Sequence, residues 1–227
     1  MAILYTIIPV LAAIAGAIVA MRYAPSKTVE GAVQHLAAGV VFAAAGAEIL
    51  PDVLHSGDPA PTLVGGALGV FVMLGVRRLE GMASGPIGML SAIGVDVFID
   101  GIVLGIGFSA DLRTGLLLTA ALTLELVLLG LTSTTALAGV VRSGWPRLLA
   151  VAGLVLLLPA GTLIAAPVSS FPETVRIGLL SFGLMALLYL VIEELLVEAH
   201  EREEPTWVTS LFFVGFLFLL LLDELMR

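Results

Sequence analysis

Apolar runs of about twenty residues, separated by short polar or proline-bearing stretches, dominate this chain from end to end. Twenty helical residues rise ~30 Å, the thickness of a bilayer's hydrocarbon core. The pattern predicts eight such helices, at about 2–22, 30–54, 61–77, 86–109, 114–137, 146–167, 174–197 and 206–226. Pro61, Pro86, Pro146, Pro172 and Pro205 stand at the starts of runs, where a missing backbone N–H leaves no hydrogen bond unmade. The linkers are too short to hold a further domain, so residues 1–227 are expected to form a single all-α membrane domain. The first run lacks the positive flank of a signal peptide and is kept as the first span.

Composition narrows the chemistry. Of 227 residues, 59% are hydrophobic and only 12% charged, with a mean hydropathy of +1.14, so the expected solvent is lipid. A net charge of −8 argues against nucleic acid as a partner, because phosphate binding needs clustered Lys and Arg. With no cysteine, disulfides, thiolate metal sites and cysteine nucleophiles are excluded.

The basic residues give an orientation. Arg22, Lys27, Arg77, Arg78, Arg142, Arg147 and Arg202 fall on one side, and Arg113, Arg176 and Arg227 on the other. By the positive-inside rule both termini face away from the cytoplasm, in a multi-pass protein of the inner cell membrane. Two segments also echo each other. "EILPDVLH" (48–55) is followed by "PTLV" (61–64), and "ELLVEAH" (194–200) by "PTWV" (205–208). Spans 2 and 7 run in opposite directions in this topology, so the repeat is inverted: spans 1–3 against 6–8, around spans 4 and 5. Inverted repeats with a site near the midplane are an architecture of secondary transporters.

Acids within the apolar runs are the candidate chemistry. Asp96 and Asp100 in span 4 are spaced i,i+4 and share a helix face, and Glu125 lies about halfway along span 5. Each acid costs ~2.5–3.5 kcal/mol at a helix centre on insertion scales. No Lys or Arg lies deep in any span. The acids must therefore hold protons or be balanced by a bound cation, and oxygen-rich sites suit divalent ions. Three acids in the two unrepeated spans favour the cation over protonated groups serving only as interhelical glue.

Further groups lie toward the span ends. Glu48, Asp52 and His55 end span 2; Glu193, Glu194, Glu198 and His200 end span 7; His35 lies near the inner end of span 2. Solvated helix ends explain such residues without a function. A pathway reading makes the two acidic clusters mouths that concentrate cations. Gly101 and Gly105 form a GxxxG that lets span 4 approach a neighbour. "TSTT" (132–135) either lines an ion path or bonds back to its own helix.

These features together resemble the ZIP (Zrt/Irt-like) family of divalent-metal transporters. "AAGVVFAAAGAEILPD" resembles the family's second span, "SFGLMALLYLVIEELLVEAH" its seventh and "GFLFLLLLDEL" its eighth. The family's fourth-span HNxPEG motif aligns with D-V-F-I-D-G, 96–101, so Asp96 takes the histidine position, Asp100 the glutamate position, and Gly101 is kept. Val97 and Ile99 replace the asparagine and the proline. The fifth-span HExPxE becomes "LELVL" (124–128), leaving Glu125 with Leu124 and Leu128 on either side. The span-7 acid falls on Glu194, with Glu193 adjacent. The resemblance implies a metal-binding set of Asp96, Asp100, Glu125 and Glu194, and alternating access across the membrane. Half the family's ligands are missing, as is its histidine-rich loop between spans 3 and 4, so one metal site is expected.

The expected function is transport of a divalent metal cation (Zn²⁺, Mn²⁺, Fe²⁺, Mg²⁺ or a Cd²⁺-like ion) as substrate. The cation and the lipid bilayer are the expected partners, with a homodimer left open. No catalytic residue is expected. The alternatives are an intramembrane enzyme built on paired carboxylates, and a non-transporting membrane protein with protonated acids.

Overall fold

In a computed structural model, which describes residues 2–23, 25–55, 58–82, 86–200 and 205–226, the described chain is all helix and connecting turns, with no strand. Eight helices are long and apolar enough to cross a membrane, and the protein is accordingly a multi-pass membrane protein. They are α1 (Ala2–Arg22), α2 (Lys27–His55), α3 (Pro59–Met82), α4 (Pro86–Ala110), α5 (Leu112–Leu137), α6 (Gly144–Ser170), α7 (Glu173–Leu195, continuing through Leu196–His200) and α8 (Thr206–Leu225).

Capping moves two starts outward from the apolar runs. The Ser26 side chain accepts from Val29 N at 3.4 Å, so α2 begins at Lys27 rather than near 30. Asp111 accepts from Thr114 N at 2.9 Å and from the Thr114 hydroxyl at 2.7 Å. These bonds satisfy orphan donors of the first turn and start α5 at Leu112 rather than 114. Asp111 alone then joins α4 to α5. Interior prolines account for three irregularities, each lying upstream where a proline's missing N–H and ring disturb the helix. Pro9 follows a break at Thr6, Pro159 follows one at Leu156, and Pro51 follows a π-helical segment at Ala45–Ile49. A second π segment, Leu190–Leu195 in α7, has no proline behind it.

The helices pack most extensively as four pairs: α1 with α5, α2 with α8, α3 with α7 and α4 with α6. Glycines bring the backbones together. A Cβ on Gly130 would lie 2.1 Å from the Ala13 carbonyl oxygen in α1, and one on Gly101 2.1 Å from that of Leu158 in α6. Gly105 and Gly161 belong to the same α4–α6 contact, which is the packing role of the span-4 GxxxG, and Thr162 Oγ1 donates to the Gly101 carbonyl at 2.9 Å. Looser contacts join the pairs, chiefly α2–α7, α2–α5, α4–α5, α1–α6, α3–α4 and α4–α7. Helices α2, α4, α5 and α7 are the more buried, and α1, α3, α6 and α8 present Leu, Ile, Val and Phe outward. Outward apolar side chains cost nothing in lipid.

Candidate metal centre

Helices α4 and α5 carry the central group. Asp96 and Asp100 lie one turn apart on α4, and Glu125 projects from the middle of α5. Their carboxylate oxygens all come within 4.8 Å of one another. Asp100 and Glu125 are buried, at 2% and 4% exposure, and Asp96 is half-buried. The Asp100 and Glu125 carboxyls touch, yet Asp100 Oδ2 and Glu125 Oε2 are buried with no donor reaching them. Glu194 of α7 is near enough for its charge to act on both Asp100 and Glu125. The residue count along α7 puts Glu194 well toward the helix end, so its reach into this group is a difference from simple depth counting. It stands in the π segment, where a wider turn re-aims side chains relative to an α-helix.

Three acids with oxygens within 4.8 Å of one another, and a fourth close by, repel one another strongly in a low-dielectric interior when ionised. The segments of α4, α5 and α7 around them contain no Lys or Arg. Positive charge must therefore come from protons or from a cation held by carboxylate oxygens. Hard or borderline divalent ions suit such donors.

Glu193, expected beside Glu194 as a metal candidate, points elsewhere: its carboxylate pairs with Arg77 of α3. Adjacent residues on a helix diverge by about 100°, so both cannot face one site.

The outer-end residues also separate. Asp52 and His55 are exposed and border a recess of about 370 Å³, together with Asp111, Glu173 and Arg176. His55 bonds its own helix through Nδ1 to the Pro51 carbonyl, 2.7 Å away. Glu48 is not a solvated helix-end group. It is 8% exposed, and its carboxyl meets that of Asp223 in α8, which in turn pairs with Arg113 of α5. Sequence reasoning assigned no role to Asp223 or Arg113. The available signal was an acid closing the apolar run "FLFLLLLDEL" on the same side of the membrane as Arg113.

On the opposite side, His35 is buried in α2 with Nδ1 3.0 Å from the Gly31 carbonyl. That contact makes Nδ1 the donor and leaves the ring lone pair on Nε2. The four hydroxyls of "TSTT" divide. Thr132 and Thr135 donate back to the Leu128 and Leu131 carbonyls, at 3.0 and 3.1 Å. Ser133 Oγ and Thr134 Oγ1 are buried with no partner. Leu124 and Leu128 pack in the apolar core. The side chains of Glu198 and His200 lie outside the described residues.

No protein-family model matches the chain, and no curated protein matches it significantly.

Proposed function

We propose that this protein carries divalent metal cations across the membrane, binding them at Asp96, Asp100 and Glu125 with Glu194 alongside. One observation carries the proposal: three acids, each with an oxygen within 4.8 Å of the others, in apolar stretches of α4 and α5 that contain no Lys or Arg. A purely structural role would be served by one hydrogen-bonded carboxyl, whereas three within 4.8 Å raise the cost of an empty site and the gain on filling it.

The helix arrangement supports a transporter of the ZIP type. Exchanging helix 1 with 6, 2 with 7, 3 with 8 and 4 with 5 maps the α1–α5 pair onto α6–α4 and α2–α8 onto α7–α3. It also maps the α2–α5 contact onto α7–α4 and one π segment onto the other. Such correspondence is what an inverted repeat, spans 1–3 against 6–8, would produce. Four pairs clamped by glycines resist internal sliding, so access from alternate sides falls to movement between pairs. The basic-residue count favours both termini outside, in an inner cell membrane.

Charge counting sets the proton balance. Four carboxylates exceed the charge of a divalent ion, so protons compete with the metal for the site. Metal affinity rises with pH, and binding releases protons. The test is flux into liposomes holding a metal-sensitive dye. Accumulation of Mn²⁺ or Zn²⁺ that depends on the protein and grows with pH supports the reading; protein-containing vesicles no leakier than empty ones overturn it. Against an intramembrane aspartyl enzyme, Asp96 and Asp100 occupy one helix and no scissile-bond cleft separates them.

A further inference from the structure

Helices α3 and α7 are clamped together over the first half of each. A Cβ on Gly65 would lie 1.9 Å from the Gly178 carbonyl oxygen, and one on Gly69 2.6 Å from that of Phe182. Ser181 Oγ donates to the Thr62 carbonyl at 2.8 Å. These glycine contacts engage α7 as far as Met185. Beyond it α7 passes into its π segment, Leu190–Leu195, and there Arg77 of α3 takes hold of Glu193. The next residue, Glu194, lies near Asp100 and Glu125 instead. The same division occurs further out, where Phe182 meets α3 and Gly183 meets Val103 of α4, 3.3 Å from where its Cβ would stand.

A regular α-helix fixes the rotation of each residue through its i→i−4 bonds. A π segment is a wide turn within such a helix, and the rotation it absorbs can be given back. Straightening it would turn Glu193 and Glu194 together by up to about 100°, the angle between neighbouring residues. The π segment of α2 is followed by Pro51, whose missing N–H and ring hold the irregularity in place. That of α7 has no proline behind it, but it carries an ion pair on one side. We propose that Arg77 is a positioning residue for the metal group: by holding Glu193 against α3 it fixes the rotation of the α7 π segment and keeps Glu194 aimed at Asp100 and Glu125.

The pair's exposure fits a directing role. The Arg77 and Glu193 side chains are 47% and 42% exposed, and an ion pair that open contributes little to stability. Ile192, on the other side of Glu193, is exposed at the surface of the bundle. Three consecutive residues thus divide among the surface, α3 and the metal group, and a rotation of one residue's angle would misplace all three. The charge of Arg77 supplies a sign that separates positioning from a field effect. Removing a cation from the neighbourhood of a cation site strengthens metal binding by simple electrostatics. Losing the aim of Glu194 weakens it.

The inference rests on the transporter reading for what the site binds. The test is equilibrium dialysis of the full chain in detergent against Mn²⁺ and, separately, Zn²⁺, at one pH. Arg77→Met, which keeps an unbranched stem without the charge, should weaken binding by about tenfold, the usual scale for a group that orients a ligand. Arg77→Lys keeps a cation for Glu193 and should stay within about threefold of the parent. With Glu194→Gln in place, adding Arg77→Met should change affinity by less than about twofold, because the residue it positions is already lost. Glu193→Gln should repeat the pattern, weakening the parent but not the Glu194→Gln chain, and it decides the matter where Arg77→Met does not fold. Binding by Arg77→Met as tight as the parent's or tighter, or a loss of equal size with and without Glu194→Gln, overturns the positioning role alone. A parent that binds neither ion overturns the transporter reading and this inference with it.

Discussion

Among the described residues two groups of buried acids stand out, one at the middle of the bundle and one at the end that carries Arg113, and a guanidinium belongs only to the second. At that end Asp223 pairs with Arg113, and Glu48 lies against Asp223. At the middle, the charges that act on Asp100 and Glu125 are those of further acids, Asp96 and Glu194 among them. A group that carries its own counter-charge is structurally complete. A group without one depends on what it binds. The difference separates an ion pair between helices from the group proposed to receive a substrate.

The largest effects should come from removing charge at the middle. Asp100→Asn and Glu125→Gln each take one anion from a site that must balance a divalent ion, and liposome flux should fall to background with insertion intact. Neither should lose thermal stability, since each relieves repulsion between buried acids. If both transport at the parent rate, the central group is not the site.

Next in size is the opposite pattern at the outer end. Asp223→Asn leaves Arg113 facing a neutral amide. Losing that counter-charge destabilises the fold, moderated by the partial exposure of Arg113. A lowered Tm in detergent is the readout, and an unchanged Tm would remove the fastening role.

A subtler change tests which ion the middle prefers. An imidazole ligand favours Zn²⁺, and carboxylates lean relatively toward Mn²⁺, Mg²⁺ and Ca²⁺. Asp96→His should shift Zn²⁺/Mn²⁺ competition toward zinc by about tenfold, about 1.4 kcal/mol. An unchanged ratio with binding intact would place Asp96 outside the coordinating set.

The smallest effect concerns the hydroxyls toward the α5 C-terminus. Thr134→Val and Ser133→Ala remove buried groups with no internal partner and should slow flux by about two- to threefold, ~0.5 kcal/mol in the barrier. Thr132→Val removes only a bond back to the helix and should leave flux unchanged. Equal effects at all three would deny Ser133 and Thr134 a place on the path.

How much of this could be read from residues alone follows from what a sequence encodes locally. The eight helices were legible because lipid demands long apolar runs; the starts of α2 and α5 shifted where Ser26 and Asp111 supply caps that hydropathy does not weigh, and α3 and α6 run on past their apolar runs to Met82 and Ser170. The trio of Asp96, Asp100 and Glu125 was legible as acids in apolar context, though their mutual approach depends on how α4 and α5 face each other. What could not be read was pairing across the chain. Glu193 and Glu194 look alike in sequence, yet one turns to Arg77 and the other toward the centre. Glu48 resembles a solvated helix-end acid until α8, far along the chain, brings Asp223 against it. Burial of a polar group is decided by the neighbour that covers it, and that neighbour is not local.

The single-residue connection at Asp111 bears on how the chain reaches its bilayer. Helices α4 and α5 each carry acids that resist entering hydrocarbon alone, and one residue is too short a tether for them to enter at separate times or places. They must partition as a hairpin. Asp100 and Glu125 are then close while the rest of the bundle is still being made, able to share a proton and shield one another from lipid tails. The group proposed to receive a metal thus also lowers the barrier to its own delivery into the membrane.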